Sequence, residues 1–140
     1  MSAAGRRILV VDDQQDIREL TASILGGAGY EVRALGCGAD AVDLIAGETF
    51  DLVLMDINMP GMDGWETLRL IRADELSADL PVVMFSVKGD LGDKVLSMQE
   101  GALDYITKPF EIDELLGRLA RIFDTLDRGP SGPPAASPVP

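Results

Sequence analysis

The sequence LVLMDINMPGMDG, residues 52–64, contains four consecutive apolar residues that end at the carboxylate of Asp56. An apolar run followed by the pair Pro60-Gly61 predicts a buried strand that leads into a turn. A carboxylate at the tip of a core strand is costly to desolvate and seldom serves packing. Asp56 is therefore the first candidate for metal binding or covalent chemistry.

Four other short runs, residues 8–11, 30–35, 82–85 and 103–107, are apolar or alternate in polarity. Each of the five runs is followed by apolar residues at helical spacing. The last helical pattern, between Ile112 and Leu126, is the clearest. Five strand-helix alternations predict an α/β fold, an open parallel sheet with helices on both faces and right-handed crossovers.

The polarity of the strands predicts their order in the sheet. Strands one, three and four are apolar throughout and are expected at the centre, whereas strands two and five alternate and are expected at the edges. The doubly wound, flavodoxin-like order 2-1-3-4-5 satisfies both conditions, with five helices around the five strands. In that order the functional crevice lies at the carboxyl ends of strands one and three. The fourth of the five helices is indicated by Leu91, Val95 and Met98.

Length and composition indicate one domain and a tail. The chain has 140 residues, of which 46% are hydrophobic, enough for one buried core. We predict a domain over residues 6–126. Residues 127–140 are predicted to be a disordered Pro/Gly/Ser-rich tail or a truncated linker, because they contain five of the eight prolines and little to bury.

Charge and residue usage exclude several classes of function. A net charge of -12 with scattered basic residues argues against direct binding of nucleic acid. Cys37 is the only cysteine, so no intramolecular disulfide can form, and a reducing, cytoplasmic location is expected. The chain has no histidine, which excludes Ser-His and Cys-His nucleophilic machinery. The apolar run at residues 8–11 is too short for a signal peptide or a membrane span.

Polar side chains follow four of the five predicted strands, and in a parallel sheet these strand ends meet at one edge. They are Asp12 and Asp13, Asp56, Ser86, and Lys108. Two carboxylates about 4 Å apart repel by roughly 4 kcal/mol near a protein surface, so three of them need a cation or a raised pKa. Oxygen ligands beside an incoming phosphoryl group favour Mg²⁺. The pattern predicts attack of Asp56 on phosphorus and an aspartyl phosphate product.

An acidic pair after strand one, an Asp-ended strand before Met-Pro-Gly-Met-Asp-Gly, a hydroxyl after strand four and Lys-Pro after strand five form an ordered set. This set resembles the receiver domain of bacterial two-component response regulators. The resemblance covers roughly residues 6–126 and is far more specific than any one of its motifs.

The resemblance implies a role for each of these residues. Asp56 would be the phosphoacceptor, Asp13 would bind Mg²⁺ directly and Asp12 through water, and the backbone carbonyl of Asn58 would complete the protein ligands. Ser86 and Lys108 would contact the phosphoryl group. Tyr105 would occupy the aromatic switch position, and the Lys108-Pro109 bond is expected to be cis.

The resemblance also implies a signalling switch that promotes its own phosphorylation and dephosphorylation, and not an enzyme in the usual sense. Its phosphoryl donor would be a sensor histidine kinase or a histidine phosphotransfer protein. Its response would alter a downstream protein contact on the face formed by the fourth helix, the fifth strand and the fifth helix. The residue after the hydroxyl position is usually small in this family, and here it is Val87, which is expected to narrow access to Asp56.

Three alternatives accompany this interpretation. Asp12 and Asp13 considered alone are typical of helix caps. Residues 36–41, GCGADA, match the G-x-G-x-x-A dinucleotide fingerprint, although they follow a strand that is expected at the edge of the sheet. The chain is also either a stand-alone receiver, which we favour slightly, or the receiver fragment of a larger regulator.

Overall fold

A computed structural model describes residues 5–86, 95–96 and 98–128 of the chain. It contains five strands in the order β2-β1-β3-β4-β5, all of them parallel, and this confirms the predicted flavodoxin-like sheet. The strands are β1 Arg7–Val11, β2 Glu31–Leu35, β3 Leu52–Asp56, β4 Val82–Ser86 and β5 Asp104–Thr107. The helices with complete bounds are α1 Gln15–Gly27, α2 Gly38–Gly47, α3 Gly64–Ala73 and α4 Ile112–Arg128.

The fourth predicted helix falls only partly on the described residues. Residues 95, 96, 98 and 99 are helical, whereas Leu91 and Val87 lie outside the described part of the chain. The fifth predicted helix is α4, which continues to Arg128, two residues past the predicted end of the domain. Asp127 in its last turn pairs with Arg6 beside the start of β1. The rest of the predicted tail, residues 129–140, also lies outside the described residues.

Alternate side chains of the central strands enter two separate cores, one on each face of the sheet. Leu9, Val53 and Met84 face α2 and α3. Ile8, Leu54 and Phe85 face α1 and α4. Because β1, β3 and β4 are covered on both faces, their residues are apolar without alternation, as the sequence predicted.

The edge strands are more exposed than the central ones, which confirms their predicted places. β2 pairs with β1 from Arg7–Glu31 to Val11–Leu35, and β5 pairs with β4 from Val83–Asp104 to Ser86–Thr107. The register of the central pair brings Val11 opposite Met55, so Asp12 and Asp56 leave the sheet side by side. The sheet therefore delivers residues distant in sequence to one edge.

Candidate functional site

Three carboxylates, those of Asp12, Asp13 and Asp56, lie together at the carboxyl edge of the sheet. One carboxylate oxygen from each residue lies within 4.8 Å of one oxygen from each of the other two. Asp12 is fully buried and Asp56 is 4% exposed, whereas Asp13 is half-buried. Asp12 and Asp13 follow β1 and Asp56 ends β3, and the three acids meet because these two strands are neighbours in the sheet. The cluster borders a cleft of about 140 Å³ lined by Asp13, Gln14, Asp56, Asn58 and Lys108.

Lys108 brings a positive charge into this acidic cluster from the end of β5. Its Nζ donates a 2.8 Å hydrogen bond to Oδ2 of Asp12 and lies 3.6 Å from Oδ2 of Asp56. The ammonium also lies 4.6 Å from the ring centroid of Phe85, which stacks on Phe110. The Lys108-Pro109 peptide bond is cis, as expected. The pairing of Lys108 with Asp12 was not predicted from the sequence.

The pKa of Asp56 is raised to about 6, first because burial removes water from its carboxylate. Lys108 opposes this shift, while the negative charges of Asp12 and Asp13 add to it. The backbone N–H of Asn58 donates to Oδ1 of Asp56 at 3.3 Å and also favours the charged form. Three acids facing one lysine leave an excess of negative charge, so the pocket favours a further cation.

The oxygens of the acidic pair differ in how they are bound. Oδ1 of Asp12 accepts from the backbone N–H of Gln14 at 3.0 Å, and Oδ2 accepts from Lys108. Oδ1 of Asp13 is buried and has no hydrogen-bond partner among the described residues. A buried carboxylate oxygen without a donor is costly, and a bound cation would satisfy it. The donor set therefore fits a hard divalent ion such as Mg²⁺, with Asp13 and Asp56 better placed than Asp12 for direct contact.

Ser86 and Asn58 form the other side of the site. Ser86 ends β4 and is fully buried, and Nδ2 of Asn58 donates to its hydroxyl oxygen at 3.0 Å. The resemblance implied a role only for the backbone carbonyl of Asn58, and this side-chain contact was not predicted. Its only signal in the sequence was a short polar residue two positions after Asp56.

Tyr105, the predicted switch residue, is 4% exposed and belongs to the core between the sheet and α3. On β5 it stands opposite Met84 of β4, two residues before Ser86. Tyr105 and the hydroxyl of Ser86 thus lie on neighbouring, hydrogen-bonded strands of the sheet.

Gly64 fixes the path of the loop after Asp56. A Cβ atom on Gly64 would lie 2.4 Å from the carbonyl oxygen of Asp56 and 2.8 Å from Cα of Ile57. The N–H of Gly64 donates to the carbonyl of Ile57 at 2.9 Å, and Gly61 takes a φ of 75° in the predicted turn. Helix α3 can therefore begin directly against the site, where Asp63 caps it by accepting from the N–H of Glu66.

The structure also bears on two alternatives from the sequence. The residue that precedes α1 is Gln14, which makes no side-chain capping bond, so neither Asp12 nor Asp13 is the N-cap. The glycine-rich stretch at 36–41 follows the edge strand β2. A Cβ atom on its Gly38 would lie 2.0 Å from Oγ1 of Thr67 on α3. Contact between two helices thus accounts for that glycine.

Comparison with known proteins agrees with this geometry. A family model described as the response regulator receiver domain matches residues 8–120. The chain is 41% identical over 119 residues to the transcriptional regulatory protein GltR of Pseudomonas aeruginosa, which aligns over 85% of this chain and 49% of its own length.

Two solved structures resemble the fold closely. The chemotaxis protein CheY4 of Vibrio cholerae has a TM-score of 0.81 and 31% identity, covering 85% of this chain and 99% of that one. The receiver domain of the sensor histidine kinase PA1611 of P. aeruginosa, with a magnesium ion coordinated in its active-site cleft, has a TM-score of 0.79 and 32% identity, covering 86% and 99%.

The chain spans about half the length of the curated relatives it matches. The described residues include no helix that is long and apolar enough to cross a membrane.

Proposed function

The chain belongs to the response regulator receiver domain family, whose members are signalling switches, and on that premise we propose that Asp56 is its phosphoacceptor. The observation that supports this most directly is the meeting of the three carboxylates within 4.8 Å at the end of β3. No other residues in the described part of the chain bring three such ligands together.

In the proposed reaction, a carboxylate oxygen of Asp56 forms a bond to phosphorus while the phosphorus–nitrogen bond of a phosphohistidine donor breaks. The imidazole nitrogen keeps the electron pair and takes a proton from solvent. Water later attacks phosphorus, which returns the carboxylate and releases inorganic phosphate. The 140 residues contain no histidine, so the phosphohistidine would lie outside them, on a sensor histidine kinase or a histidine phosphotransfer protein.

Asp13 and Asp56 would hold Mg²⁺ directly, Asp12 would act through water, and the backbone carbonyl of Asn58 would add a further ligand. A bound Mg²⁺ neutralises the charge that builds up on phosphoryl oxygens. Lys108 is already within 3.6 Å of Asp56, so a small movement of its Nζ suffices to donate to a phosphoryl oxygen. Ser86 would donate its O–H to another phosphoryl oxygen, because the bond from Asn58 uses only a lone pair of the same hydroxyl oxygen.

A downstream protein would dock on the face formed by residues 95–96 and 98–103, β5 and α4. Val95, Met98 and Leu103 on this face are each more than 40% exposed. A cavity of about 440 Å³ beside them is lined by Leu103, Asp104, Arg118, Arg121, Ile122, Thr125 and Leu126. Tyr105 is buried under this face and would carry the change from Ser86 to the partner.

We also propose a location for the protein and a limit on its partners. We propose that the protein is cytoplasmic, because its proposed phosphoryl donors act there and the chain has a single cysteine. We further propose that this chain does not itself bind nucleic acid, although relatives such as GltR are named as transcriptional regulators. Tracing the coding sequence past Pro140 tests whether the chain is a stand-alone receiver or part of a larger regulator.

Intact-mass spectrometry after incubation with acetyl phosphate tests the proposed function. We expect one phosphoryl adduct that requires Mg²⁺ and disappears in Asp56→Asn. The exposed Asp113→Asn, which makes the same change outside the carboxylate cluster, is the matched control and should be labelled like the parent. Labelling of Asp56→Asn to the parental level would contradict the proposal.

A further inference from the structure

A second surface lies at the opposite edge of the sheet, where α2 ends and β3 and β4 begin. It is a groove of about 300 Å³ between the C-terminal part of α2 and the loop from α3 to β4. We call it the basal groove. Its apolar lining residues are Ile45, Ala46, Phe50, Leu76 and Leu80, and Gly47, Glu48, Thr49 and Ser77 complete the lining. Glu48 is already paired with Arg7 and Arg33. β3 separates it from Asp56 by about 13 Å of strand, so it shares no residue with the phosphorylation site.

Leu76 is the main apolar residue that the groove offers to a partner, because 90% of its surface is exposed. Leu70, 42% exposed, borders a smaller depression on the same side, which shares Ile45, Ala46 and Leu76 with the groove. Outside the face proposed for the downstream protein, the only other exposed large apolar side chain in the described residues is Leu20 on α1, at 56%. The larger of the two depressions has room for an apolar anchor of one helix, and the exposed Leu70 and Leu76 extend its apolar wall.

The loop that carries Leu76 is held firmly by hydrogen bonds. The N–H of Leu76 donates to Oδ1 of Asp74 at 2.9 Å, and Oγ of Ser77 donates to the carbonyl of Ile71 at 2.6 Å. The guanidinium of Arg72 bridges the carbonyls of Ser77 and Gly101. The exposure of Leu76 is thus built into an ordered turn, and a preformed apolar surface of this kind marks an interaction site.

Exposed acidic side chains lie on the two segments that form the groove. Its acidic rim is defined as Asp43 of α2 with Asp74, Glu75 and Asp79 of the segment that carries Leu76, and Asp74 lines the smaller depression. None of the four forms an ion pair within 4 Å among the described residues, and Arg72 acts on Asp79 only at longer range. A partner with apolar residues flanked by positive charges would match both the groove and its rim.

We propose that the basal groove docks a basic amphipathic helix of another protein, with leucine-like residues in the groove and Lys or Arg against the acidic rim. A second copy of this chain would bring a like-charged rim against the first. Residues 129–140 carry no charged residue and would leave the rim unpaired. Charge therefore favours a basic partner over both of these occupants, independently of the proposed phosphoacceptor function.

The test uses a fluorescein-labelled peptide of about 18 residues with Leu on one helical face and Lys and Arg on the other. Anisotropy is measured on the full chain at low and physiological salt. We expect saturable binding that Leu76→Ser weakens at least about fivefold, as for a central interface residue. Leu20→Ser makes the same change on another exposed leucine and should bind like the parent. A peptide with Glu in place of Lys and Arg should not bind.

Charge variants separate the groove from general attraction to an acidic protein. Glu75→Gln with Asp79→Asn should weaken binding more than Glu19→Gln with Asp113→Asn, although both pairs remove two charges. Equal affinity of the parent and Leu76→Ser, or equal effects of the two charge pairs, would overturn the proposal. Concentration-dependent dimerisation that Leu76→Ser abolishes would also overturn it, because a second copy would then occupy the groove. So would changes in the NMR amide chemical shifts of the groove residues when residues 129–140 are deleted, because the tail would then be the occupant.

Discussion

The side-chain amide of Asn58 donates a 3.0 Å hydrogen bond to the hydroxyl oxygen of Ser86, which links the loop after β3 to the end of β4. The backbone N–H of the same residue contacts Oδ1 of Asp56. Asn58 thus touches both the proposed phosphoacceptor and the hydroxyl that would contact the phosphoryl group. Any movement of the Ser86 oxygen away from Asn58 toward a phosphoryl group would stretch this bond, so the contact opposes that movement.

This contact predicts that Asn58→Ala accelerates phosphorylation by acetyl phosphate. The gain should be about two- to tenfold, the equivalent of one net hydrogen bond. The rate is measured by intact mass against time at fixed Mg²⁺. In a Ser86→Ala background the same substitution should have little effect, because the bond it removes is already absent. Equal effects in both backgrounds would show that Asn58 acts by another route.

The raised pKa of Asp56 predicts that Asp56→Asn stabilises the protein at neutral pH without Mg²⁺. The native carboxyl holds its proton up to about pH 6, whereas the unfolded one loses it near 3.8, so the stability of the parent falls as pH rises between these values. The neutral variant avoids this loss.

Urea unfolding at several pH values measures this effect. The two proteins should be equally stable below about pH 4 and differ by a constant amount, on the order of 1–3 kcal/mol, above about pH 6. A difference that does not depend on pH would mean that packing, and not charge, distinguishes the variants.

The unsatisfied oxygen of Asp13 predicts that Mg²⁺ binds with its help. Trp65 follows Gly64 at the start of α3, close enough to the site for its fluorescence to report the titration. Asp13→Asn should weaken Mg²⁺ binding on the order of tenfold or more, since it removes a charged ligand. Asp16→Asn, on the exposed side of α1, serves as the control and should bind like the parent. Unchanged affinity in Asp13→Asn would exclude Asp13 from the ligand set.

The close approach of Gly64 to the site strand predicts that Gly64→Ala destabilises the protein by about 1–3 kcal/mol, because neither backbone atom it meets can move freely. Gly117→Ala on α4 is the matched control. A Cβ there meets only the flexible end of Arg121 at 3.7 Å, and a gain of about 0.4–1 kcal/mol is expected. Thermal unfolding compares the two, and a stable Gly64→Ala protein would show that the loop can shift.

The strands, their order and the residues at their ends could be predicted because apolar runs and edge alternation follow directly from burial. Asp12, Asp56 and Lys108 were expected to converge because parallel strands end at one edge. Their internal partners could not be predicted: the bond of Lys108 to Asp12 and that of Asn58 to Ser86 depend on side-chain directions set by loops. Leu76 on its ordered turn was missed for the same reason, since one leucine in a polar loop gives no periodic signal.

Lys108 and Asp12 are 96 residues apart in sequence and meet only when the last strand joins the sheet. A growing chain on the ribosome contains the two acids that follow β1 and the carboxylate of β3 well before it contains the positive charge of Lys108. The acidic site is therefore complete only after β5 has been made and has joined the sheet. A copy cut before Lys108 would keep the three carboxylates without their internal counter-charge and would depend still more on a bound cation.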